Sequence, residues 1–261
     1  MVAKVQSGDL DPEGVLLAYS KMALDAHQKT NCLTEVMIQK AQTWARDCNK
    51  AGALAGIPVS LKDTVGVAGF ASCIGYSSPV SLVPFQKDAA IVRLLRDAGA
   101  VPFVKTNVPI TLHSFESASD VWGRSTNPYS AKHTPGGSSG GESALLAYGG
   151  SRVAIGTDGA GSVRVPAHYT GIYAIKASMY RFPKDGNRSP VVGQEGVGGV
   201  YSPMARTLDD LEMFWRAIVG MKPWEYDHSV RLRAPLEFGG TSRTSLSAFL
   251  YLGDVSTFPR K

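Results

Sequence analysis

The sequence predicts an α/β protein with parallel strands, and three observations carry that expectation. DAAIVRLLRDA (Asp88–Ala98) has the apolar spacing of an amphipathic helix and runs at once through Gly99 into the strand VPFVKTN. A helix stopped by glycine and followed directly by an apolar strand is the repeating step of α/β units. Upstream, GIPVSLKD (Gly56–Asp63) is a short apolar strand ending on a charged pair. Finally, the glycine- and serine-rich middle, residues 127 to 164, is flanked by apolar strands and alanine-rich helices. Such a middle implies close backbone packing, or N–H groups turned toward a ligand.

The remaining elements are read in chain order. Asp11 is placed to cap a first long helix, with Pro12 at its first position and Val15, Leu16, Tyr19, Met22 and Ala23 along one stripe. A second helix is expected over Leu33–Asn49, with Val36, Met37, Ala41 and Ala45 on one side. PGGSSGGES (Pro135–Ser143) leads into the small-residue helix ALLAYGG, then the strand RVAIGTD (Arg152–Asp158) and the loop GAGSVRVPA. SPMARTLDDLEMFWRAIVG reads as a helix capped by Thr207, with Asp209 and Asp210 in its first turn. Beyond about Val230 both periodicities fade, and no internal repeat is evident.

Composition narrows the function classes. Hydrophobic residues make up 44% and charged residues 19%, which fits a folded globular chain. The net charge of +5 is scattered, without the Lys/Arg runs that bind nucleic acid or anionic lipid, so no nucleic-acid partner is expected. Cys32, Cys48 and Cys73 show neither CxxC nor Cys/His spacing. A disulfide framework and a zinc site are therefore not expected, and a reducing, cytoplasmic setting is the default. No apolar run reaches the roughly 18 residues of a membrane span, and the N-terminus lacks a signal-peptide core.

The two Gly/Ser clusters hold the candidate chemistry. GGSSGG lacks the GxxxxGK[ST] spacing of a phosphate loop, and no GxGxxG stands at a strand–helix junction, so a nucleotide-binding module is the lesser alternative. A second cluster, GTDGAGSVR, comes after one helix and one strand, which places both at one end of adjacent strands. A serine nucleophile needs a base. Of the five histidines, His133 and His168 lie near the serines and His27 falls in a peripheral helix; none stands in a GxSxG context. A lysine serves instead if burial makes it neutral near pH 7. Lys62 ends an apolar strand, where it is either buried or turned out to water.

In order, the chain carries GIPVSLKD, KTNVP, NPY, TPGGSSGGES and GTDGAGSVRVPA, with YSPMARTLDDL and KPWEYDHS behind them. This series resembles the amidase signature family of serine hydrolases, and within it the fungal acetamidase-like branch. The resemblance implies an α/β/α sandwich with a mixed central sheet. It also implies hydrolysis of the C–N bond of carboxylic amides to acid plus ammonia or amine, through a serine acyl-enzyme. Lys62 takes the place of the base. Ser138 takes that of the relay serine, behind a cis Gly137–Ser138 bond, and Ser162 that of the nucleophile. Backbone N–H groups of Gly159, Ala160, Gly161 and Ser162 correspond to the oxyanion hole, and Asp158 and Arg164 to a loop-stabilising ion pair. No metal or cofactor is implied. The expected partner is a small-molecule amide, and a homodimer is the assembly allowed.

Two departures stand out. Relatives usually carry two glycines before the nucleophile, whereas here Ala160 precedes Gly161. That change strains the loop if position 160 needs a positive φ and is harmless otherwise. The chain is also short for the family. Residues 1–230 are expected to form a partial amidase domain, incomplete at its C-terminal end, and 231–261 a divergent tail. The alternatives are an inactive truncated homologue and a glutamine-hydrolysing amidotransferase subunit, against which CLTEVM and KPWEYDHS speak.

Overall fold

The computed structural model describes residues 1–78, 83–194 and 196–231, and residues 1–231 form one compact unit. The tail expected at 231–261 lies, from Leu232 on, outside the described residues.

The chain opens with α1 (Val2–Gln6) and α2 (Pro12–Thr30). Asp11 caps α2 as its residue type predicts: its Oδ2 accepts the Gly14 N–H at 2.9 Å, ahead of Pro12. Such a cap is worth about 1 kcal/mol. The helix stops where Asn31 turns left-handed at φ 51°. The segment after Asn31 corrects the expected helix over Leu33–Asn49. Leu33–Val36 is a strand, β1, and only Ile38–Arg46 is helical, as α3. β1 lies antiparallel on Val101–Thr106, and Val36 is exposed rather than part of a helical stripe. Thr34 and Val36 are β-branched, and pairing with a buried neighbour outweighs a helical pattern only four residues long.

The centre matches the expected α/β unit. β2 (Pro58–Lys62), α4 (Ala90–Asp97) and β3 (Val101–Thr106) form a parallel crossover, with Lys62 opposite Thr106. Every residue of both strands is buried, as expected of parallel strands covered on both faces. Next come α5 (Gly140–Tyr148), β6 (Val153–Asp158) and α6 (Arg164–Thr170), after the two short strands β4 (Ala118–Ser119) and β5 (Gly123–Arg124), which pair with each other. β6 lies parallel to β2. β7 (Tyr173–Ala174) and β8 (Val200–Ala205) complete a six-stranded sheet in the order β1-β3-β2-β6-β8-β7. β8 is antiparallel to both β6 and β7, so the sheet is mixed. Ser202–Ala205, at the front of the segment read from sequence as a Thr207-capped helix, belongs to β8. The helix α7 (Leu208–Gly220) begins behind Thr207, whose hydroxyl accepts the Asp210 N–H at 3.1 Å.

α5 packs on β2 and β6, α4 on β3, and α7 on β6 and β8. The resulting α/β/α core includes Leu16, Ile57, Leu61, Ile91, Leu94, Phe103 and Phe214, all fully buried. Burying each such side chain contributes about 1.5–3 kcal/mol. The site rests on this frame. β2 and β6 are adjacent and parallel, so their carboxyl ends, Lys62 and Asp158, emerge on the same edge of the sheet, where α/β folds bind ligands.

Candidate active site

Lys62 is completely buried at the end of β2. Its Nζ donates to Ser138 Oγ at 2.8 Å, to Thr157 Oγ1 at 2.8 Å and, more weakly, to Thr157 O at 3.4 Å. Burial pulls its pKa from the ordinary lysine range down to about 7, against the opposing charges of Asp158 and Glu142. The strand-end lysine is therefore turned inward, and burial favours its neutral form.

Ser138 precedes α5 and is 1% exposed, and the Gly137–Ser138 peptide bond is cis. The glycines around it have a packing reason. A Cβ on Gly141 would run into the backbone of Asn107 and Cys32, so only glycine lets the start of α5 approach that close. The hydroxyls of the PGGSSGGES run divide their work: Ser139 reaches Thr157 O, and Ser143 reaches Pro135 O and Gly140 O.

Ser162 lies in the loop between β6 and α6. Its carbonyl accepts the Ser139 N–H at 3.0 Å, which ties the two serine loops together by their backbones. Ser138, Thr157, Gly159, Ala160 and Ser162 line one side of a cavity of about 590 Å³. Its other walls include Leu112, His113 and Tyr201, the 184–194 segment and Asp227–Ser229. Among the described residues no hydrogen bond joins Ser162 Oγ to Ser138.

The loop is shaped by Asp158. Its carboxylate accepts the N–H of Gly161 at 2.8 Å and of Val163 at 3.1 Å, and takes a two-pronged grip from Arg164 at 3.0 Å per bond. Burial alone would push the Asp158 pKa up, but these donors outweigh it and hold the carboxyl below its ordinary value. The Gly161 N–H is thereby engaged, whereas among the described residues the N–H groups of Gly159, Ala160 and Ser162 have no hydrogen-bond partner. Ala160 is absent from the left-handed region, whereas Gly161 has φ 119°. The alanine is therefore harmless, and the need for glycine falls on position 161.

Of the histidines near the serines, His133 is exposed and bonds Ser130, and His168 is also exposed; neither faces the cavity. His27 accepts the Leu33 N–H. Sequence reasoning missed Thr157, Glu142 and a second buried lysine, Lys105. Glu142 accepts from Ser60 and is fully buried. A charged residue inside an otherwise small and apolar helix was the available signal. Lys105 pairs with Asp63 at 3.6 Å and bonds Ala71 O at 2.6 Å and Ser72 Oγ, pinning the loop after β2. Nothing in its spacing set it apart. No group of three or more His, Cys, Asp or Glu suited to a metal occurs among the described residues, and no helix there is long and apolar enough to cross a membrane.

Comparison with known proteins identifies the family and the fold. The amidase family model matches residues 14–246. An amidase from Gibberella moniliformis is 40% identical over 236 residues, 87% of this chain and 44% of that protein. An acetamidase from Emericella nidulans is 37% identical over 88% of this chain and 43% of its own length. A solved fatty acid amide hydrolase superposes with a TM-score of 0.84 at 35% identity, over 89% of this chain and 43% of that one. The chain thus spans less than half the length of these relatives. With a family model covering most of its residues and the fold shared with solved members, the chain belongs to the amidase family.

Proposed function

We propose that this site hydrolyses amide C–N bonds through an acyl-enzyme on Ser162, with Ser138 as relay and Lys62 as base. The observation that carries the reading is the buried Lys62–Ser138 contact of 2.8 Å at a lysine whose pKa is brought to about 7. A protonated lysine is a donor only. Its neutral form has a lone pair, and the same contact then runs in reverse, with Ser138 donating.

The proton moves toward Lys62 as the nucleophile attacks and back as the amine leaves. Ser162 Oγ bonds to the amide carbonyl carbon, its proton passes to Ser138 Oγ, and the Ser138 proton passes to Lys62 Nζ. The carbonyl oxygen gathers negative charge, which the free N–H groups of Gly159, Ala160 and Ser162 are placed to meet. Losing one such donor typically costs about 2.7–4 kcal/mol of transition-state stabilisation. As the C–N bond breaks, Lys62 returns its proton through Ser138 to the leaving nitrogen. Water then attacks the ester by the same relay, giving acid and free Ser162. Thr157 Oγ1 holds the lysine at the right end of its reach, and Asp158 with Arg164 shapes the loop without touching the reacting atoms. The 590 Å³ cavity suits a small to medium amide.

The test is labelling by a fluorophosphonate probe. Folded wild-type protein is expected to label at Ser162; Ser162→Ala abolishes the label and Lys62→Ala strongly reduces it. Folded protein that stays unlabelled would defeat the proposal.

A further inference from the structure

Two side-chain rungs join β2 to the segment that opens α5. Lys62 meets Ser138 at one, and Ser60 donates its hydroxyl to Glu142 Oε2 at the other. Ser60 and Lys62 are two residues apart on a strand and so share a face. Ser138 and Glu142 are four apart on the opposing loop-to-helix segment. The Ser60–Glu142 rung therefore holds the Lys62–Ser138 rung in register, although Glu142 takes no part in the proton relay.

The Glu142 carboxyl is fully buried. The groups around it are Ser60 and Lys62 from β2, Thr106 at the end of β3, and the Cys32 thiol just ahead of β1. Lys62 in turn also faces Asp158 from β6, whose charge is matched by Arg164. The Thr106 hydroxyl is the polar neighbour of the Glu142 carboxyl, and among the described residues neither Glu142 Oε1 nor Thr106 Oγ1 has any other partner.

An ionised Glu142 would be a dehydrated carboxylate met by the Ser60 and Thr106 hydroxyls alone, with no cation in salt-bridge range among the described residues. The cation that acts on it is Lys62. That attraction favours the protonated lysine and so opposes its work as a base toward Ser138. The positive end of α5 favours a carboxylate in the first turn, but this effect is small beside the cost of dehydrating an unpaired one. A carboxylic acid removes the buried charge, and its Oε1–H has Thr106 Oγ1 as acceptor while Ser60 still donates to Oε2. Burial works in the same direction, raising the Glu142 pKa to about 8.

We propose that Glu142 is a positioning residue held as a neutral carboxylic acid, which keeps Ser138 in register through Ser60 and leaves Lys62 able to accept a proton. This rests on the amidase reading of the same site.

Infrared difference spectra of wild type against E142Q at neutral pH test the protonation state without reference to activity. A protonated-carboxyl C=O stretch is expected in the wild type and lost in E142Q; its absence from the wild type overturns the proposal. The second arm is the rate of fluorophosphonate labelling against pH. E142Q is expected to keep the wild-type midpoint. A midpoint lowered by about one unit or more shows that a carboxylate had been stabilising protonated Lys62, and overturns the proposal. S60A is expected to slow labelling about tenfold at an unmoved midpoint, the effect of one lost buried hydrogen bond. Labelling of S60A at the wild-type rate overturns the register role. A wild type that never labels defeats the amidase reading alone, and the infrared arm still decides the state of Glu142.

Discussion

The Lys62 amine and the Thr157 hydroxyl lie 2.8 Å apart across two neighbouring parallel strands, and this contact aims the lysine at Ser138. Thr157→Val keeps the shape of the side chain and removes the acceptor. One buried hydrogen bond of this kind contributes about 0.5–1.5 kcal/mol, so Tm is expected to fall by about 2–4 °C and labelling of Ser162 to slow about two- to tenfold. Labelling kinetics and a melting curve on the same preparation check both halves.

Lys62 also sets a pH dependence. Its folded pKa of about 7 lies below its unfolded value of 10.5, so the unfolded chain binds more protons between the two. Stability contributed by this group therefore rises with pH from about 7 to 10.5 and is lowest below 7. The labelling rate is expected to climb through a midpoint near 7, as the neutral lysine accumulates. Lys62→Met, with no titrating amine, is expected to flatten the stability gain above pH 7, read by denaturant unfolding across that range.

Gly161 and Ala160 make opposite predictions. Gly161 is left-handed at φ 119°, and an added Cβ would come within 3.2 Å of Val165 Cγ2. Gly161→Ala is expected to cost about 1–2 kcal/mol and to displace the loop that carries Ser162, abolishing most labelling. Ala160→Gly relieves no such strain, and labelling by this variant is expected to stay within about twofold of wild type. Thermal unfolding and probe labelling of the two variants side by side decide the matter.

Arg164 is 39% exposed while its partner Asp158 is fully buried. Arg164→Ala leaves Asp158 with only the N–H groups of Gly161 and Val163, and is expected to cost about 1.5–3 kcal/mol, the worth of a charge-assisted bond. Asp158→Ala releases the N–H groups of Gly161 and Val163 as well and is expected to impair labelling more than Arg164→Ala does. Chemical denaturation measures the first expectation, and labelling rates compare the two.

The outline of the fold was legible wherever a local pattern was long and self-consistent. The Asp88–Ala98 helix, Gly99 and the strand after it carry their own stop signal, and Asp11 and Thr207 cap by local chemistry. The pattern misled where an element was short. Leu33–Val36 is long enough to suggest one helical turn, and what makes it a strand is its hydrogen bonding to β3, a partner some seventy residues away. Ser202–Ala205 stands just ahead of the Thr207 cap, and what makes it a strand is its pairing with β6, some fifty residues away.

The site divides in the same way. The order of motifs along the chain was enough to nominate Lys62, Ser138 and Ser162, because a glycine-rich loop and a lysine at a strand end are local features. Whether Lys62 is buried or solvated was open until the strands were placed, since desolvation depends on everything packed around the amine. Thr157, Glu142 and the engaged N–H of Gly161 belong to that second kind of information. Each acts through a distance of about 3 Å between groups that the chain itself keeps apart, so it exists only once β2, β6 and α5 are brought together.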